Sequence, residues 1–216
     1  MARPRKNDHL KDELLAAGME QLLAHGYHGT GIKQILDLVG VPKGSFYNFF
    51  ASKEEFVAQI VIHYGALAAQ EYRELSANHS QQSELVKLTL TFYDKVQKRV
   101  VDNNNCGCLV AAMASEIAQS SGLCRQALMQ VEQQWLESLA EQFMRAQQQG
   151  DVRDDIDADA LARQFFNSWQ GSLLEYQISQ EWHLIFDRLA VLLTLITTPK
   201  GLEQLESLSW FNHKSN

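Results

Sequence analysis

The chain has 216 residues, 45% of them apolar, and its 19 Lys and Arg against 26 Asp and Glu give a formal net charge of −7. That length admits one large or two small domains with ample core. The longest apolar stretch, Leu189 to Ile196, is far short of a membrane span, and the basic start at Arg3, Arg5 and Lys6 runs into DHLKDELL instead of a signal-peptide apolar region. A soluble cytoplasmic chain without membrane contact is expected.

Asp8 to about His25 reads as an amphipathic helix with Leu10, Leu14, Leu15, Ala17, Met19, Leu22 and Leu23 on its core face. Thr30 is placed to cap a short helix from Gly31 to about Leu38, striped by Ile32, Ile35, Leu36 and Val39 and ended by Gly40. Pro42 then suits the first turn of a third helix that buries Phe46, Phe49 and Phe50 and stops near Phe50. Helix, Gly-containing turn, helix is the unit that enters a DNA groove. Ser52 and Glu55 form a capping box, so a new helix starts at Ser52 with Lys53 in its first turn, where a lysine opposes the helix dipole unless an anion such as a DNA phosphate sits there.

The run GYHGTGIKQILDLVGVPKGSFYNFFASKEEF, Gly26 to Phe56, closely resembles the TetR family of bacterial one-component transcription regulators. The family pattern has GY or GF after the first helix, a capping Thr, then V-x-K-G-S/T-x-Y-x-x-F and S-K-E. Departures fall at Gly31, where a second Thr is common, at Leu38 to Val39, where Ala residues are usual, and at Asn48, where the family often carries His or Arg. The resemblance implies an all-α protein: a helix-turn-helix DNA-binding domain over 1–51, followed by a helical ligand-binding and dimerisation domain over 52–216.

Charge is divided to match. Residues 1–55 hold seven basic and seven acidic side chains, whereas 56–216 hold 12 against 19, so the acidic body would favour approach to DNA by one end. Lys43 is the best candidate for a base edge, because a lysine can donate to guanine, and Gly44 would let the backbone come close. Ser45, Tyr47 and Asn48 could add hydrogen bonds, Tyr47 having core filler as its rival role. Thr30 and Lys53 should grip phosphates, and Arg3, Arg5 and Lys6 should follow the backbone or enter a minor groove.

Beyond Phe56 the pattern is helical almost throughout: Ser52 to about Leu75, Glu84 to Asp102, Gly107 to Gln119, Leu123 to Gln149, Ala158 to Ser179 with Asp157 as cap, and Glu181 to Thr198. The acidic cluster Asp151, Asp154, Asp155, Asp157 and Asp159 reads as solvated turn and cap. The last two helices are apolar on more than one face, through Leu161, Phe165, Phe166, Trp169, Leu173, Leu174 and Ile178, then Ile185, Phe186, Leu189, Leu192, Leu193, Leu195 and Ile196. That excess points to a homodimer, as the resemblance also implies, with Phe165, Trp169, Leu189 and Leu193 at the interface; complete burial within one chain is the rival. Phe92, Leu109, Met113, Trp135, Phe143, Phe166 and Trp169 could line a ligand pocket, though most such residues are ordinary core.

Cys106 and Cys108 open a helix after Asn103 to Asn105, and Cys124 follows. A helix start favours the thiolate that reacts with electrophiles and oxidants. NCGCLVAAMASEI resembles the segment of a TetR subgroup that senses such reagents through a G-C-L cysteine, which maps onto Cys108. Buried core thiols are the alternative. Neither metal nor cofactor is expected: C-x-C stands alone, the histidines are scattered, and no strand or Gly-Lys-Ser accompanies Gly29 to Gly31. The expected protein is a repressor that binds a palindromic double-stranded DNA operator as a dimer and is released by a small-molecule or electrophile inducer. Its rival, a thiol-based redox enzyme using Cys106 and Cys108, lacks the βαβ setting usual for such chemistry.

Overall fold

The computed structural model describes residues 6–101 and 107–211, and the regular structure among them is ten α-helices and one isolated bridge, Val152 with Thr197. The chain divides into two compact units. One comprises Met1–Ala68 and Cys108–Gln133, the other Ala69–Gly107 and Gln134–Asn216. None of the described helices is long and apolar enough to cross a membrane.

In the first unit, α1 (Lys6–Gly29) starts earlier than expected and continues past a bend at Gly26, whose φ of 69° and ψ of −178° are not helical. Leu14, Leu15 and Leu22 are buried, while Leu23 faces outward. Next, α2 (Ile32–Val39) packs Ile35 and Leu36 inward and ends on left-handed Gly40, whose N–H donates to the Leu36 carbonyl at 2.9 Å. Thr30 is not its cap. Gly31 holds that position without a side-chain bond, and the buried Thr30 hydroxyl donates backward, 2.7 Å from the Gly26 carbonyl and 3.1 Å from that of Gln21.

The third helix, α3 (Lys43–Phe46), is a single turn, continued to Phe49 as hydrogen-bonded turns; the expected helix to Phe50 is shorter than predicted. Phe46 and Phe50 are buried against Phe56 of α4 (Lys53–Ala77), with ring centroids 4.7 to 5.1 Å apart, and Phe49 is half-buried. These rings are the centre of the small core, each worth roughly 1.5–3 kcal/mol of burial. The capping box at the start of α4 forms in modified geometry: Ser52 Oγ accepts from the Glu55 N–H at 3.1 Å, while the Glu55 carboxylate reaches Ala51 N–H at 2.8 Å. The unit is completed by α6 (Leu109–Ile117), which packs on α1, and by the first half of α7 (Gly122–Gln148).

The second unit holds the remainder of α4 and α7, with α5 (Glu84–Val101), α8 (Ala158–Ser179), α9 (His183–Ile196) and α10 (Pro199–Glu206). Asp157 stands at the cap of α8, but no side-chain capping bond forms. The helix α10 is not among those expected from the sequence, although Thr198 followed by Pro199 is a start signal: Thr198 Oγ1 accepts from Gly201 N–H at 3.2 Å and Pro199 fills the first helical position. Asp151, expected to be solvated, is buried; its Oδ1 meets Lys200 Nζ at 2.8 Å and Gln204 Nε2 at 2.9 Å. A buried carboxylate needs such partners, and α10 supplies both.

Candidate nucleic-acid interface

Because α3 turns Phe46 inward, its other side is left for Lys43, Gly44, Tyr47 and Asn48, all exposed, with Ser45 half-buried beside them. Tyr47 is 52% exposed and its ring stands edge-on to Phe46, so core filling is not its role. A Cβ built on Gly44 meets nothing within 4 Å, which leaves open backbone beside Lys43. The local cause is the spacing of Phe46, Phe49 and Phe50, which fixes the opposite face toward solvent.

Two residues expected to grip phosphates have partners within the chain. Thr30 is buried with its hydroxyl committed to two carbonyls. Lys53 lies 4.1 Å over the Tyr27 ring and donates to the Tyr27 carbonyl at 2.7 Å; burial pushes its ammonium below the ordinary lysine range. Both residues instead tie the end of α1 to its surroundings. Arg3, Arg5 and Cys106 lie outside the described residues, as do the side chain of Lys6 and the Asn103 to Asn105 turn.

Tyr27 is the meeting point that sequence reasoning missed. Its hydroxyl donates to Glu54 Oε1 at 3.3 Å, and burial, reinforced by that carboxylate, pushes the phenol up. Its N–H donates to Glu116 Oε2 of α6 at 2.7 Å, and His28 N–H donates to the same oxygen at 3.4 Å. The neighbouring Cys124 thiol is buried, donates to the Glu54 carbonyl at 3.4 Å, and is pushed up by burial. Cys124 is therefore core. Cys108 is half-buried at the N-cap of α6, its carbonyl accepting from Ala112 N–H at 3.0 Å.

The expected pocket residues do not fall in one unit. Leu109 and Met113, both buried, belong to the first. In the second, Phe92 meets Phe165 at 4.9 Å and Trp169 at 4.8 Å, Phe143 meets Phe165 at 5.8 Å, and half-buried Trp135 and Phe166 are 6.1 Å apart. Beside Phe92, Tyr72 donates to Gln142 Oε1, and burial pushes its phenol well above the ordinary range.

The expected dimer contacts also need correction. Phe165, Trp169, Leu189 and Leu193 are buried within their own chain, where α8 and α9 pack together. The apolar excess lies elsewhere: Leu174 and Ile178 on α8 and Val191 and Leu195 on α9 are exposed, Ile178 at 80% and Leu195 at 66%. Each pair is spaced i, i+4, so each is a stripe on one helix face.

A trihelical head with an outward polar face on its third helix, attached to an all-helical body, defines the class of helix-turn-helix regulators. Residues 14–60 match the family described as bacterial regulatory proteins, tetR family, and residues 84–184 match the tetracyclin repressor-like C-terminal domain. The transcriptional regulator AcuR of Cereibacter sphaeroides is 31% identical over 76% of this chain and 75% of its own length. The repressor DhaR of Mycobacterium sp. strain GP1 is 29% identical over 83% and 86%. The repressor NemR of Escherichia coli is 25% identical over 88% and 94%, and the crystal structure of its reduced form superposes with a TM-score of 0.78 at 23% identity, covering 88% of this chain and all of that one. The chain belongs to the TetR family of transcriptional regulators.

Proposed function

We propose that the protein is a repressor that binds operator DNA as a twofold homodimer in the cytoplasm and is released by a small-molecule or electrophile inducer. Residues 1–51 serve as the reading head and 52–216 as the ligand-binding and dimerisation body. The observation that carries the reading is the outward face of α3 and the turn after it, where Lys43, Gly44, Tyr47 and Asn48 stand exposed over a core of phenylalanines. Lys43 donates to a base edge, Gly44 admits close backbone approach, Ser45, Tyr47 and Asn48 add polar contacts, and Arg3 and Arg5 follow phosphates. Twofold symmetry sets the heads roughly 34 Å apart on successive major grooves.

Dimerisation is assigned to the exposed stripes Leu174 and Ile178 with Val191 and Leu195, which support an interface continuous with the α8–α9 core. Two inducer routes have a physical basis. The aromatic cluster of Phe92, Phe165 and Trp169, with Tyr72 and Gln142 as polar handles, suits an apolar ligand, and Trp135 and Phe166 form a second aromatic pair of the expected pocket. Cys108 at the start of α6, with Cys106 two residues before it, suits an electrophile, whereas Cys124 is buried. No catalytic step and no metal or cofactor enter the reading. The test is a titration of purified protein against its own upstream DNA over a salt series, with and without an electrophile and apolar compounds. Salt-dependent, site-specific binding that an inducer abolishes is expected; binding indifferent to sequence sinks the proposal.

A further inference from the structure

Glu116 is nearly ninety residues from Tyr27 and His28 in sequence and meets both at the bend in α1. Gly26 breaks the helical run of α1 at φ 69° and ψ −178°, a conformation close to glycine-only. The bend turns two successive backbone N–H groups outward, and Glu116 Oε2 takes both, at 2.7 Å from Tyr27 and 3.4 Å from His28. A Cβ at Gly26 would stand 2.5 Å from Glu116 Oε1, so the carboxylate fills the space that a side chain would need. Beyond the bend, Tyr27 is held a second time by Lys53, and Thr30 closes back on Gly26, so the segment leading into α2 and α3 takes its direction from this point.

We propose that Glu116 is a positioning residue for DNA binding: a carboxylate clamp through which α6 fixes the direction of the reading head. The inference rests on the operator reading and adds to it the part that transmits. Cys108 begins α6 and Glu116 lies in its last turn, so a displacement of this one nine-residue helix acts on the Tyr27 and His28 amides directly.

The experiment compares wild type with Glu116→Ala and Glu116→Gln by amide hydrogen exchange, thermal melting and affinity for the upstream DNA. Both clamp bonds use one oxygen, so the Gln amide oxygen preserves them and Ala removes them. In Glu116→Ala the Tyr27 and His28 amides should exchange faster and affinity should fall about tenfold, the scale of coupling between sites, at a melting temperature close to wild type. Glu116→Gln should restore both. Wild-type affinity in Glu116→Ala despite faster exchange overturns the proposal, as does equal loss in the two variants. If wild type itself binds no DNA, the operator reading fails separately, and exchange at Tyr27, His28 and the α2–α3 amides decides the clamp: equal rates in wild type and Glu116→Ala overturn it.

Discussion

Gly26 shows how one residue can carry a requirement set by another far along the chain. Its dihedral angles are strained for any L side chain, and a methyl group there runs into Glu116. Gly26→Ala should cost about 1–3 kcal/mol, read as a lower melting temperature, with operator binding weakened beyond what stability explains. Lys43 makes the opposite prediction, because it is exposed and holds no part of the fold. Lys43→Ala should leave the melt unchanged while weakening specific binding by about 1–3 kcal/mol; equal affinity would remove α3 from the interface. For the thiols, a stoichiometric electrophile should modify Cys108 before Cys124, and Cys108→Ser should stay on DNA when the unsubstituted protein leaves it. Peptide mapping that finds Cys124 labelled first contradicts the burial argument.

At the scale of elements, α8 and α9 carry two apolar faces with different tasks. Burial joins Phe165, Trp169, Leu189 and Leu193 inside the chain, and Ile178 and Leu195 remain outside. Leu195→Asp should shift the protein to monomer with its helical content intact, since an unpaired charge at an interface costs about 3–5 kcal/mol. A dimer of unchanged mass by light scattering would free this face from the assignment. Leu174, Ile178 and Leu195 stand out in the sequence together with the buried residues and Val191 does not, and which stripe faces inward is not legible, because period alone does not say which stripe meets a neighbour. The head was far more legible. Gly40, Pro42, Ser52 and Glu55 act over three or four residues, so the turn, the start of α3 and the start of α4 follow from local chemistry. The internal bonds of Thr30 and Lys53 are not legible in the sequence, because their partners, the carbonyls of Gly26 and Tyr27, come within reach only once α1 bends. Glu116 carried no local signal at all; its meaning lies in amides nearly ninety residues away.

For the molecule as a whole, burial pushes up the acids that ionise from a neutral form, opposite to its effect on the Lys53 ammonium. Tyr27, Tyr72 and Cys124 are each pushed up by burial, so the native state keeps protons that the unfolded chain gives up first. Their stabilising contribution is complete below the unfolded values and is lost as pH rises through the native ones. The melting temperature should therefore decline from about pH 8.5, where an unfolded thiol ionises, and more steeply past about pH 10 for the phenols. A flat profile to pH 11 would show that these groups are not protected. Two units organise the fold, yet the first is not continuous in sequence: Met1–Ala68 shares its interior with Cys108–Gln133. A fragment ending at Ala68 would lack Met113, Ile117, Cys124 and Val131, all buried, and should show little stable helix by circular dichroism. The same fact governs inheritance. A recombination between residues 68 and 108 that gave this head a foreign body would separate Gly26 from Glu116, so a chimera joined there should lose the bonds that hold the Tyr27 and His28 amides.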